Sequence, residues 1–325
     1  MQGVARKLRG VVAVVSLLSP LACGKAPDGG TTEADIVGGV PADDSSLDAV
    51  GALVYKDYAG NWTRLCSATL IAPTVILTAK HCAMQKIRAN PARGILEDSD
   101  LRLMDHYKEL SFGVGSKISS LKDVVRVDSV EWCKIEGGYG VGCDVAVYHL
   151  AEAIVDVPPL AVREGPLGDE LIGSRMTVIG YGEQTPTAPS ADSSRERRQG
   201  TMTLRALRGA PLKSVFATVD AYLDANRADE GEAYVQEHDA ELREEYEKTL
   251  LDDYEAFLSR ESDDSTTCWG DSGGPLLSNV GGALVIQGVV SGGWDTPNAP
   301  CKIGGIFAVF GPEVRGLVGR TLQGP

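Results

Sequence analysis

The 325-residue chain is 43% hydrophobic, enough to bury a core and to exclude wholesale disorder. Its 38 glycines, about 12% of positions against a usual ~7% and without a Gly-X-Y period, favour tight turns between strands and disfavour an all-helical fold. Acidic residues outnumber basic ones 45 to 31, and the net charge of −14 repels phosphate backbones, so nucleic acid is a poor partner.

Arg6, Lys7 and Arg9 precede an apolar run from Val11 to Leu18, followed by Ser-Pro-Leu-Ala-Cys-Gly, the layout of a secretory signal over 1–22. The uncharged stretch 10–23 is shorter than the roughly 20 residues a membrane-spanning helix requires, so a removed leader and export are expected. Leu21-Ala22-Cys23-Gly24 resembles the bacterial lipoprotein processing box, in which the cysteine becomes the lipidated first residue. Pro20 stands where that box usually carries leucine, so cleavage without lipid stays open. The chain is therefore expected either as a cell-envelope lipoprotein, touching membrane only through Cys23, or as a secreted protein. Seven cysteines suit an oxidising compartment, with Cys23 the odd one. Residues 23–35 are small, polar and rich in Gly, and read as a tether or propeptide.

From residue 36 onward, short β-rich runs alternate with Gly, Pro and Asp turns: 51–55, 67–72, 75–78, 124–130 and 144–150. A Pro158-Pro159 connector over 155–162 leads to a second strand-rich region: 176–181, 201–207, 276–277, 284–291 and 306–310. Two β units, about 36–155 and 160–325, are the simplest account. The texture changes over 218–264, where 17 acidic residues face four basic ones. There Leu242, Tyr246, Leu250 and Tyr254, continued by Phe257 and Leu258, recur at helical spacing and predict a helical insertion lying on the second unit. Its charge reads as a solvated cover; calcium is the sharper alternative, but no Asp-x-[Asp/Asn]-x-[Asp/Asn]-Gly loop supports it.

Gly270-Asp271-Ser272-Gly273-Gly274-Pro275 sets a serine among glycines, which permit a tight turn that exposes the hydroxyl and converges N–H groups on one point. The nucleophile elbow of α/β-hydrolases shares this pattern but places its histidine after the serine. Here His81, His106, His149 and His238 all precede Ser272, which excludes that fold. His106 and His238 sit among charged residues, and His149 reads as packed or edge-exposed rather than catalytic. No Cys-x-x-Cys or His-x-x-x-His occurs, so neither a catalytic metal nor a cofactor is expected.

Ile36-Val37-Gly38-Gly39, Leu77-Thr78-Ala79-Lys80-His81-Cys82, Asp144-Val145-Ala146-Val147 and the Ser272 loop, in that order, resemble the trypsin and chymotrypsin family of serine endopeptidases over residues 36–325. The resemblance implies an all-β fold of two six-stranded antiparallel barrels, with the acidic insertion in the second and a short C-terminal helix. It implies His81, Asp144 and Ser272 as a triad, in which the weakly nucleophilic hydroxyl loses its proton to a histidine oriented by the carboxylate. Gly270 and Ser272 supply oxyanion N–H groups. The substrate pocket falls to Thr266 at the floor, Gly293 and Gly305 in the walls, and Ser291 beside the substrate backbone. Thr266 carries no carboxylate, which favours apolar or aromatic side chains over Arg or Lys, with Asp263 and Asp264 close by in the chain as the carboxylates that could reach the pocket instead. The resemblance also implies two disulfides, Cys66 with Cys82 and Cys268 with Cys301, leaving Cys133 for Cys143; so short a loop is worth roughly 2–3 kcal/mol. A cut before Ile36 would free an ammonium for Asp271, and Asp35 at the cut makes a separate activating protease the expected agent. Lys80 departs from the usual alanine. Partners would be protein or peptide substrates and that protease, the chain acting as a monomer. The alternative is a catalytically silent binding or adhesion module, although no triad residue is lost.

Overall fold

The computed structural model describes residues 36–86, 101–103, 110–139, 142–183, 196–259, 264–293 and 301–323. The expected leader, tether and Cys23 lie outside the described residues, as do His106 and Asp263. In chain order the elements are β1 (Val40–Pro41), β2 (Val50–Lys56), β3 (Trp62–Ala72), β4 (Val75–Thr78), β5 (Met84–Lys86), β6 (Leu101–Leu103), β7 (Ser111–Val114), β8 (Lys122–Trp132) and β9 (Ala146–Leu150). They continue as β10 (Ala161–Val162), β11 (Arg175–Gly180), β12 (Arg198–Ala206), α1 (Val219–Glu230), α2 (Glu232–Glu247), β13 (Glu255–Ser259), β14 (Pro275–Val280), β15 (Ala283–Gly293), β16 (Gly304–Val309) and α3 (Pro312–Gln323).

Strands β2-β3-β4-β9-β8-β7 close into a six-stranded antiparallel barrel. A second closes through β11-β12-β13-β16-β15-β14 and back to β11, each neighbour antiparallel. Closure leaves neither sheet with an open edge, the usual liability of β proteins. The consecutive apolar residues 75–77 of β4 and 146–148 of β9 have a simple cause. Ile76, Ala146 and Tyr148 fill the first barrel with Leu53, Leu70 and Phe112. Val75, Leu77 and Val147, on the alternate face, meet Leu277, Ile286 and Val289 of the second barrel and Val314 and Leu317 of α3. A strand buried on both faces loses the in–out alternation of a half-buried one.

The insertion packs through Tyr222, Leu223, Val235, Leu242, Tyr246 and Leu250 onto Phe257 and Ile306 of the second barrel. Thr218 caps α1 by accepting from the Ala221 N–H at 3.1 Å. The helical spacing expected to run on through Tyr254, Phe257 and Leu258 does not hold. The helix ends at Glu247, and residues 255–259 form β13, every one of them buried. A short apolar run buried on both sides has no period by which to tell strand from helix.

Residues 36–41 lie on the second barrel although they precede the first in the chain: β1 pairs with β12, and Val37 bridges Thr266. Arg197, fully buried just before β12, fastens the stretch 42–50 that leads into the first barrel. Its guanidinium donates to the carbonyls of Ala42 (2.9 Å), Leu47 (2.8 Å), Val50 (3.1 Å) and Asp44 (3.3 Å) and to the Asp48 carboxylate (3.0 Å). Removing it strands several buried acceptors at once. Arg197→Ala is expected to lower unfolding free energy by about 3–5 kcal/mol, measured by urea denaturation in a Ser272→Ala background; a loss under about 1 kcal/mol, the net worth of one ordinary hydrogen bond, would contradict this account.

Candidate active site

The antiparallel register of β4 with β9 pairs Thr78 with Ala146, so the chain leaving β4 and the chain entering β9 meet at one end of the first barrel. His81 stands there in a single 3-10 turn, Lys80–Cys82, and Asp144 two residues before β9. The Lys80 N–H donates to the Asp144 carbonyl at 3.3 Å, and the Cys66–Cys82 disulfide ties the turn to β3. Asp144 is fully buried, and its carboxylate accepts three hydrogen bonds. These come from the His81 backbone N–H at 2.9 Å, from His81 Nδ1 at 2.7 Å and from Ser291 Oγ at 2.6 Å.

A carboxylate only accepts, so the imidazole proton sits on Nδ1 and Nε2 keeps its lone pair. Burial pulls the His81 pKa down, but the charge and hydrogen bond of Asp144 outweigh it and hold the pKa above the usual value, with Lys80 opposing. Lys80 itself is fully buried. Tyr148, on β9, is buried, among the described residues without a hydrogen bond to its hydroxyl, and burial together with the Asp144 charge raises its pKa well above the ordinary range.

Ser272 reaches this corner from the second barrel. Gly273, with φ 76°, has no room for a side chain: a Cβ there would fall 2.0 Å from Thr78 Oγ1 and 2.4 Å from the Ser67 carbonyl. That close approach sets the serine loop against the residues leading into His81. The Ser67 N–H donates to the Ser272 carbonyl at 2.8 Å, and the Gly273 N–H to the Val290 carbonyl at 2.8 Å, so both barrels grip the loop. Among the described residues no hydrogen bond joins His81 to Ser272; such bonds commonly tighten only when substrate arrives.

Beside Ser272 opens a cleft of about 290 Å3 between residues 267–269 and 290–293. Trp269, 42% exposed, lies at its side, a feature that no motif foretold. Thr266 is buried beside Thr267, its N–H bound to the Val37 carbonyl at 3.0 Å and its hydroxyl, among the described residues, without a hydrogen-bond partner. Gly293 and Gly305 pair directly across β15 and β16. Among the described residues none that lines the cleft is a carboxylate. Asp264 is taken up elsewhere, by Arg175 at 2.8 Å and the hydroxyls of Thr203 at 2.7 Å and Thr201 at 3.2 Å. Ser291, expected beside the substrate backbone, lines the cleft with its side chain turned onto Asp144. The three disulfides are Cys66–Cys82, Cys133–Cys143 and Cys268–Cys301. His149 pairs with Glu131 near the surface, and His238 stacks on Tyr234 of the insertion.

Ile36 is fully buried in the core of the second barrel with Val178, Met202 and Phe307. Asp271 is buried too, its carboxyl accepting from the Gly182 N–H at 2.8 Å and the Cys268 N–H at 2.9 Å. Burial pushes its pKa up to about 7; the two N–H groups oppose the rise and Glu183 adds to it.

Compared with known protein families, the chain matches the one described as Trypsin over residues 36–242 and 225–310. The overlap of the two stretches falls on α1 and α2.

With a folded pKa of about 7 and an ordinary value of 3.8, Asp271 binds its proton more tightly in the folded chain. Its contribution to stability is therefore fully present below the unfolded pKa and is lost as pH rises through the folded one. In uncut Ser272→Ala protein, Asp271→Asn should gain on the parent by on the order of 4 kcal/mol between pH 4 and pH 8. Urea unfolding at both pH values checks this; an unchanged difference would show that Asp271 is ionised at no cost.

Proposed function

Because the chain belongs to the trypsin family, we propose that it is a serine endopeptidase that cleaves peptide bonds through an acyl-enzyme at Ser272. The observation that carries this reading is the Asp144 carboxylate, held by the Nδ1–H of His81 at 2.7 Å and the hydroxyl of Ser291 at 2.6 Å. It leaves the His81 Nε2 lone pair to take the Ser272 proton as Oγ attacks the scissile carbonyl. The N–H groups of Gly270 and Ser272 receive the oxyanion. His81 then returns the proton to the leaving amine, and water, deprotonated in turn by His81, releases the acid from the ester. Asp144 orients the ring and stabilises its cation without itself being protonated.

Substrate choice follows from the cleft. Gly292 and Gly293 leave the cleft wall bare, no described residue lining it is a carboxylate, and Thr266, buried beside Thr267 and taken as the floor, offers only a hydroxyl; this suits an apolar or aromatic side chain, since a buried cation would stay unpaired. Activation is a cut between Asp35 and Ile36 by a separate protease, giving Asp271 an ammonium partner. Export, with or without a lipid on Cys23, places the enzyme in the cell envelope or outside it as a monomer. Where Cys23 is lipidated, the same cut releases the enzyme, because the six cysteines after Cys23 are paired with one another. The competing reading, a silent binding module, keeps the fold and never acylates.

A serine-directed phosphonate should label the chain that starts at Ile36, and Ser272→Ala should abolish labelling and peptide hydrolysis while leaving the melting temperature within a degree or so, because no core volume is lost. An unlabelled chain beginning at Ile36 would favour the binding module. On a mixed peptide library, cleavage after Phe, Tyr, Leu or Met should exceed cleavage after Arg or Lys. A dominant basic preference would overturn the assignment of the Thr266 floor.

A further inference from the structure

Arg64 stands on β3, two residues before Cys66, and its side chain reaches across to the serine loop of the other barrel. Nη1 donates to the Trp269 carbonyl at 3.0 Å, and Nη2 to the Glu183 carboxylate at 3.3 Å. The same Trp269 carbonyl accepts a second bond, from the Glu183 backbone N–H at 2.8 Å. A Cβ placed on Gly270 would fall 0.7 Å from Nη1, so the guanidinium fills the space that any other residue at 270 would need. The next carbonyl, that of Gly270, accepts from Ser67 Oγ at 3.0 Å.

One planar peptide links the Trp269 carbonyl to the Gly270 N–H, and among the described residues no peptide is cis. In a trans peptide the C=O and the following N–H point in opposite directions. Two donors drawing the carbonyl into the protein therefore turn the N–H the other way, toward the cleft that Trp269 and Ser272 line. Glycine at φ 94° does little to resist rotation of this peptide by itself. Something else must fix it.

We propose that Arg64 is the positioning residue for the oxyanion hole, and that Glu183 aims its guanidinium. This rests on the reading of the Gly270 N–H as an oxyanion donor. The ion pair is nearly dry, the two side chains being 8% and 5% exposed, and among the described residues Arg64 Nε has no hydrogen-bond partner. A buried guanidinium with an unsatisfied N–H is a poor device for stability alone. Its fork, which engages a carbonyl and a carboxylate at once, is what a lysine in its place would lack.

The test compares the activated parent enzyme with Arg64→Ala, Arg64→Lys and Glu183→Gln. Deleting one oxyanion donor outright costs about 10²–10³ in kcat, so a donor left to rotate should cost about 10- to 100-fold. Arg64→Ala is expected to lose that factor in kcat with KM nearly unchanged, since the ground-state carbonyl does not depend on the hole. Arg64→Lys should recover only part of it, and guanidinium ion at tens of millimolar should partly rescue the alanine variant. A peptide aldehyde adds Ser272 Oγ to its carbonyl carbon, with the hydroxyl proton passing to His81, and its oxygen then takes the oxyanion position. Its affinity should fall in step with kcat, while a non-covalent product peptide binds as before.

A kcat within twofold of the parent, or losses confined to KM and melting temperature with aldehyde affinity unchanged, would overturn the proposal. If Arg64→Ala does not fold, Glu183→Gln decides: it keeps the shape and weakens the pair, and should lower kcat and aldehyde affinity together by about two- to fivefold. No change in either would likewise overturn it. A parent that is neither labelled by phosphonate nor active on peptides would refute the protease reading itself, whereas a labelled, active parent with an indifferent Arg64 refutes only the positioning role.

Discussion

The architecture depends on one buried negative charge. Asp144 has no exposed surface, and an uncompensated carboxylate in such a place would cost several kcal/mol. Its compensation comes from both barrels: two donors from His81 in the first, and one from Ser291 on β15 of the second. Neither barrel alone satisfies the charge. The distances of 2.6 to 2.9 Å therefore require the two barrels to dock in one register, and the same docking sets the imidazole in a single tautomer.

The loop holding Ser272 obeys a steric version of the same constraint. Gly273 touches Thr78 and Ser67 of the first barrel while its N–H bonds Val290 of the second. The apolar faces of β4 and β9 between the barrels supply the attraction, and the glycine supplies the clearance. A charge that must be shared and a side chain that must be missing thus act on one corner, and the chemistry of the site is a by-product of how the halves close.

The same distinction governs what is legible in the sequence. Short-range constraints leave residue-level marks: a serine loop that needs glycines at 270 and 273, turn residues between strands, and a leader-like start. Contacts between distant segments leave few. Arg197 looks like one more cation in a basic patch, yet its partners lie about 150 residues away and bury it completely. Ser291 is recognisable as a cleft residue, but not as a donor to a carboxylate 147 residues earlier. Arg64 carries no signal at all, because its meaning depends on a glycine 206 positions later leaving it room. The strand at 255–259 is hidden for another reason: with every residue buried, it lacks the period by which a strand is told from a continuing helix.

The acidic insertion shows how charge counting can mislead about direction. Much of its charge does face solvent, in local pairs such as Arg243 with Asp239 and Arg227 with Asp224. Lys248, at the end of α2, and Glu255, at the start of β13, point inward instead, at the loop closed by Cys133–Cys143 that hands the chain to Asp144. Glu255 is almost fully buried, and its carboxylate accepts the N–H of Tyr139 at 2.8 Å and that of Leu251 at 2.8 Å. Lys248 donates to the Tyr139 carbonyl at 2.7 Å and lies 4.9 Å from the centre of its ring. Burial lowers the Lys248 pKa, as expected of a cation drawn off the surface. A tyrosine held by main chain and ring at once fixes the loop near its midpoint, and both its ends are fixed by main-chain bonds, Cys133 to Val145 and Cys143 to Ile135. The end of α2 and the start of β13 thus together hold the approach to the very carboxylate on which the two barrels converge. Of the 17 acidic residues in 218–264, Glu255 and Asp264 are the buried ones among the described residues, and what separates them is which neighbours the fold sets against each: Tyr139 and Leu251 for Glu255, Arg175 and two threonine hydroxyls for Asp264.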